Sequence, residues 1–131
     1  AIAINENLST AWFNKGNVLV ELGKFSEAID AYMQTIEIEG PDGVIYCNIG
    51  SAYEKMGRMQ EARAYFKKAT KLNPELAEAW YGIAITYDYE GRYSDALNFI
   101  KKAISLDDED PDYYFSQAHI LEKLDRFTES E

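Results

Sequence analysis

Residues 46–74 read YCNIGSAYEKMGRMQEARAYFKKATKLNP, and the places where this stretch recurs decide the fold. Tyr46 stands in a row with Trp12, Trp80 and Tyr114, and each of these aromatics is followed four positions later by a small residue, Gly16, Gly50, Ala84 or Ala118. The spacing is 34 residues each time. Other rows keep the same register without an insertion: Leu19, Tyr53, Tyr87 and Leu121; Gly23, Gly57, Gly91 and Asp125; Phe25, Met59, Tyr93 and Phe127. Shorter rows are Ala28, Ala62 and Ala96, then Tyr32, Phe66 and Ile100, then Ile38, Leu72 and Leu106. A fixed period of this length marks a supersecondary unit that cannot bury its own apolar face and so stacks on its copies.

Within one period the apolar residues fall at helical intervals, as in Ala62, Phe66, Ala69 and Leu72, so each unit reads as two helices. The tripeptides Gly-Lys-Phe at 23–25, Gly-Arg-Met at 57–59 and Gly-Arg-Tyr at 91–93 read as the turns between them. Glycine there takes the left-handed conformation that closes a helix, and the Phe, Met or Tyr two residues later re-enters the core. Small residues at 16, 50, 28, 62 and 96 let the paired helices approach, and the aromatics fill the space between units. At Asp110-Pro111 the aspartate suits an N-cap and the proline a first helical position.

These residues resemble the tetratricopeptide repeat, whose signature is W-x2-L-G-x2-Y, then A-x3-F, then P. The second unit carries Tyr46, Ile49, Gly50, Tyr53, Ala62, Phe66 and Pro74. The third carries Trp80, Ile83, Ala84, Tyr87, Ala96 and Ile100 without the proline, and the first has Lys15 where an aliphatic residue is usual. The resemblance covers nearly the whole chain and implies an all-α fold, a right-handed superhelix (α-solenoid) of antiparallel helical hairpins. The division expected is one domain over 1–131. It comprises 1–8 as the tail of a preceding repeat, full repeats at 9–42, 43–76 and 77–110, and a truncated repeat at 111–131. Ile4, Asn5 and Leu8 align with Leu72, Asn73 and Leu76, and Phe127 to Glu131 read as the start of another second helix, so the chain reads as a fragment of a longer array. On the last hairpin Tyr113, Leu121 and Leu124 then read as exposed, a surface through which such a fragment could dimerise.

Composition narrows the function. The chain has 13 basic and 23 acidic residues, a formal net charge of -10, with an acidic run at Asp107, Asp108, Glu109 and Asp110. Phosphate neutralisation supplies most non-specific nucleic-acid affinity, so this sign argues against nucleic acid and, equally, against direct binding to anionic membranes. The single cysteine, Cys47, excludes an internal disulfide, which fits a cytoplasmic location and also a bacterial periplasm. No phosphate loop, G-x-S-x-G or H-E-x-x-H is present, and the one histidine has no second ligand at metal spacing. The expectation is a non-enzyme with no catalytic residues, metal or cofactor.

The resemblance implies that the first helices of successive hairpins line the concave side and that partners lie there as extended or helical peptides. Projected onto this sequence, the candidate groove residues are Phe13, Cys47, Tyr81 and Phe115 in one row; Asn14 and Asn48, with Gly82 and Ser116, in the next; Asn17, Ser51, Ile85 and His119 in a third; and Glu54 and Asp88, with Val20 and Glu122, in a fourth. The amides suit a peptide backbone, the rings supply apolar anchors and the carboxylates favour Lys or Arg in the ligand. Each has an alternative reading: Cys47 as a small apolar filler, and Phe13, Tyr81 and Phe115 as rings buried against neighbouring hairpins. A subset of the family grips the C-terminal carboxylate of chaperone tails with two lysines, an arginine and two asparagines. Here the asparagines match at Asn17 and Asn48, but Phe13, Glu78 and Gly82 occupy the cationic positions, so no such clamp is expected. The function expected is a protein–protein interaction scaffold, with self-association or the recruiting arm of a larger enzyme as alternatives.

Overall fold

The computed structural model describes the backbone of residues 2–129 and the side chains of residues 7–126. The described residues form seven helices: α1 (Ile2–Glu21), α2 (Phe25–Glu39), α3 (Gly43–Lys55), α4 (Met59–Leu72), α5 (Ala77–Tyr89), α6 (Tyr93–Leu106) and α7 (Pro111–Glu129). They pair as hairpins, α1 with α2, α3 with α4 and α5 with α6, and each hairpin packs on the next through α2 and α3, α4 and α5, and α6 and α7. The result is an all-α helical-repeat solenoid.

The three hairpin turns share one geometry because they share one residue. Gly23, Gly57 and Gly91 have φ of 77°, 80° and 78°, the left-handed region that glycine enters without a Cβ penalty. The next residue's N–H then reaches back to the helix it leaves: Lys24 to the Leu19 carbonyl at 2.8 Å, Arg58 to Tyr53 at 3.0 Å and Arg92 to Tyr87 at 2.9 Å. The fourth member of this row is Asp125, and there α7 continues as helix. A residue with a Cβ lacks glycine's freedom to reverse the chain. At the other end α1 runs unbroken across the junction expected at Ser9, since Asn5-Glu6 stands where Asn73-Pro74 follows α4. The alignment of Ile4 and Asn5, and the reading of Phe127 to Glu131 as a new helix, rest on side chains outside the described residues.

Two links between hairpins are held by the aromatic row itself. The Trp80 indole N–H donates to the Pro74 carbonyl at 2.8 Å, and the Tyr114 hydroxyl donates to the Asp108 carbonyl at 2.8 Å. Asp42 and Asp110 cap the helices that follow, their carboxylates accepting from the N–H groups of Ile45 at 3.1 Å and Asp112 at 2.9 Å.

The core lies along the hairpin seams. Ala28, Ala62 and Ala96 are fully buried, and Tyr32, Phe66 and Ile100 pack beside them. Phe66 is held between two glycines. A Cβ on Gly50 would lie 2.8 Å from the Phe66 ring, and one on Gly82 would lie 2.5 Å from it, so this ring is shared between consecutive hairpins. One expectation needs correction: Tyr113 is buried against Tyr81, with ring centroids 4.7 Å apart, rather than exposed. It occupies the row of Ile45 and Ala79, which faces the preceding hairpin. Leu124 is half-buried, while Leu121 and its neighbours Tyr114 and Phe115 are exposed.

Candidate functional site

Helices α1, α3, α5 and α7 stand side by side, with α3 touching α5 and α5 touching α7. Between α1 and α3 this face opens into a cleft of about 370 Å³, lined by Asn17, Val20, Glu21, Tyr32, Asn48, Ser51 and Ala52. The contents of one row explain why the opening lies here. Asn48 and Gly82 are equivalent positions; Asn48 lines the cleft together with Tyr32, and Gly82 lies against Phe66. Gly82 lets α5 close down on the Phe66 ring, which fills the junction. At the first junction the equivalent residue is Asn48, and it lines the open cleft.

Within the cleft, Asn17 is fixed in place. The Tyr32 hydroxyl donates to its side-chain oxygen at 2.6 Å, leaving the amino group to donate outward. Tyr32 itself is buried by the Phe13 ring, centroid to centroid 5.9 Å, and by the close approach of Gly16. Burial pushes the Tyr32 hydroxyl above its ordinary pKa, so it stays protonated as a donor. Phe13 also lines a neighbouring pocket of about 260 Å³ that includes Thr10, Val44 and Asp42.

The structure brings Asn17, Asn48 and Ser51 into one cleft and distributes the other sequence-derived candidates along the face. Phe115 is 78% exposed, and Asn14 is exposed. Tyr81 is half-buried, with Ser116 donating to its hydroxyl at 3.4 Å. His119 bridges α7 to α5 through Asp88 at 3.5 Å. Ile85 and Glu54 are half-buried. Cys47 lies beneath the surface, its thiol pushed up to about 12 by burial, then by Glu78 and Glu54. Gly82 and Ser116, expected to be free of the packing, are both buried, Gly82 by Phe66 and Ser116 beneath α5. Sequence reasoning left Tyr32 in a packing row, although its hydroxyl set it apart there from Phe66 and Ile100.

A family model described as tetratricopeptide repeat matches residues 42–109, more than half of the chain, and a second with the same description matches residues 9–40. The chain belongs to the tetratricopeptide repeat family. No curated protein sequence matches it significantly. Among solved structures, the TPR domain of Sgt2 from Aspergillus fumigatus is 21% identical with a TM-score of 0.87, covering 92% of this chain and 82% of that one. The first TPR of Spaghetti (RPAP3), bound to the HSP90 peptide SRMEEVD, is 20% identical with a TM-score of 0.84, covering 90% and 94%. The second TPR domain of human RPAP3, in complex with the HSP70 peptide SGPTIEEVD, is 19% identical with a TM-score of 0.80, covering 88% and 97%. At these identities the likeness is one of fold.

Proposed function

We propose that this TPR module is a non-catalytic scaffold that takes an extended segment of a partner protein along the face of α1, α3, α5 and α7. The cleft between α1 and α3 carries the reading. Asn17, oriented by Tyr32, and Asn48 pair with the ligand backbone, and Phe13, Tyr81 and Phe115 receive its apolar side chains. Glu54, Glu78, Asp88 and Glu122 favour Lys or Arg in the ligand. The HSP90 and HSP70 peptides held by two of the similar structures are acidic at their ends, SRMEEVD and SGPTIEEVD. This chain presents Phe13, Glu78 and a buried Gly82 where the clamp's cations would stand, so the acidic tail is not its ligand.

The test is a fluorescence-anisotropy titration against a peptide array that varies charge and aromatic content. Basic and apolar peptides are expected to bind with Kd on the order of micromolar, about -8 kcal/mol, because an extended ligand loses chain freedom on docking. Asn17→Ala and Asn48→Ala should each weaken binding by about 1 kcal/mol, roughly fivefold. Tight binding of SRMEEVD, or affinities indifferent to both substitutions, would move the site elsewhere.

A second reading, self-association, rests on Tyr114, Phe115 and Leu121, three exposed apolar residues clustered on α7. Sedimentation of the wild type and of Phe115→Ser at high concentration separates it from the first, since a monomer in both removes it.

A further inference from the structure

The second and third hairpins each insert a ring between the two aromatics of their first helix. Tyr65 sits 5.9 Å from Tyr46 and 5.6 Å from Tyr53, and Phe99 sits 5.9 Å from Trp80 and 5.4 Å from Tyr87. Each assembly is completed by a cation. Lys68 Nζ lies 4.7 Å from the Tyr65 ring and 5.6 Å from Tyr46, and Lys102 Nζ lies 5.6 Å from Trp80. Ring and cation come from the second helix, three residues apart.

The second helix of the first hairpin lacks both. At the position of Tyr65 and Phe99 stands Ala31, and at that of Lys68 and Lys102 stands Gln34. Where Ala31 replaces a ring the surface is hollow: a pocket of about 250 Å³ is lined by Trp12, Lys15, Leu19, Glu27, Asp30 and Ala31. Trp12 and Leu19 are the walls equivalent to those that hold Tyr65 and Phe99, and Lys15, which also lines the pocket, lies over the indole at 4.9 Å. The charge has changed along with the shape. On the second helix Asp30 takes the place of the neutral Ala64 and Asn98 and Gln34 that of a lysine, while Glu27 matches Glu61 and Asp95; on the first helix Lys15 replaces Ile49 and Ile83, so the pocket's rim holds two carboxylates and one lysine.

From this internal comparison we propose that the Trp12–Ala31 pocket is a second binding site, taking a Tyr or Phe side chain of a partner protein with a Lys or Arg beside it. The partner supplies the ring that the later hairpins supply to themselves, and a cation that meets the two carboxylates of the rim. The ring stacks on Trp12 above Ala31, and the cation faces Asp30 and Glu27. This site lies at the seam of α1 and α2, apart from the cleft between α1 and α3, so either can fail without the other.

The experiment follows the two indole N–H resonances of the 131-residue chain by NMR during titration with tyramine, a phenol ring carrying an ammonium. Its counterpart, 4-hydroxyphenylacetate, has the same ring and the opposite charge. Tyramine is expected to shift the Trp12 signal saturably, with Kd on the order of millimolar, and to leave Trp80 unmoved; the anion should bind at least about tenfold more weakly. Ala31→Phe fills the pocket with the chain's own ring and should abolish the Trp12 shift while the Trp80 signal reports an intact fold. Glu27→Gln combined with Asp30→Asn, both on exposed positions, should abolish the preference for tyramine, since Lys15 is then the one charge left in the lining, without disturbing the core. A non-saturating response, an unchanged shift in folded Ala31→Phe, or a preference for tyramine that survives the double substitution would overturn the proposal.

Discussion

Replacing Gly82 by alanine sets two effects of similar size against each other, and the geometry decides between them. In an unencumbered helix interior the change stabilises by about 1 kcal/mol, because glycine is the poorer helix former. Here the added Cβ would lie 2.5 Å from Cε1 and Cζ of Phe66 and 2.7 Å from Cδ1, distances that real Cβ atoms do not reach. The ring has little room to retreat, since Gly50 also lies close against it and Phe66 is only 2% exposed. Overpacking of this kind costs about 1–3 kcal/mol with backbone displacement, and a clash spread over three ring atoms belongs at the upper end. The net expectation is a loss of about 1–2 kcal/mol, read by far-UV circular dichroism in urea with linear extrapolation. Trimming the ring removes the obstacle. Phe66→Leu alone should cost roughly 1–2 kcal/mol, and the Gly82→Ala/Phe66→Leu double variant should be no worse than Phe66→Leu, a coupling of about 1–3 kcal/mol. A Gly82→Ala protein stabilised by about 1 kcal/mol, or a double variant whose loss equals the sum of the singles, would refute the account of Phe66 as a ring shared by two hairpins.

Gly57→Ala tests the turns, where φ is 80° and no atom lies within 4 Å of an added Cβ, so the cost is backbone strain alone. About 1 kcal/mol should be lost, and less in Gly57→Asn, which tolerates the left-handed region better; equal losses in the same urea assay would contradict this. The Cys47 thiol, pushed up to about 12 by burial and by Glu78 and Glu54, makes stability depend on pH in a defined direction. Below about 8.5 the thiol is protonated in both states and the contribution is fully present. Above it the unfolded chain releases the proton first, so stability falls as pH rises, with a slope approaching about 1.4 kcal/mol per pH unit. Urea midpoints at pH 7.5 and 9.5 should diverge in the wild type and less so in Cys47→Ala, and parallel behaviour would remove the assignment.

The hairpins, their turns and their order were legible because each rests on a row with a physical reason attached. Gly23, Gly57 and Gly91 are small for a backbone reason, and Ala28, Ala62 and Ala96 for a packing one. What periodicity could not resolve was the angle at which consecutive first helices meet. That angle depends on single residues: Gly82 admits Phe66 and closes one junction, while Asn48 leaves its neighbour open, so a row that looked uniformly free is partly core. Tyr113 was misread for the same reason, since its burial comes from Tyr81 on the preceding hairpin and not from anything that follows it. Asn17 was legible as a polar residue of the groove, but its orientation comes from Tyr32, a contact between the two helices of one hairpin that the row of Tyr32, Phe66 and Ile100 did not advertise.

The bonds from Trp80 to the Pro74 carbonyl and from Tyr114 to the Asp108 carbonyl reach beyond helix capping. Each ring measures off the same six residues, so it acts as a gauge on the connector it spans. A connector one residue longer would carry its carbonyl out of reach and strand an indole or phenol donor at the seam. The pitch of the spiral is thus metered by a ring at these two joints, where drift in connector length is penalised locally before it can accumulate into a change of overall curvature.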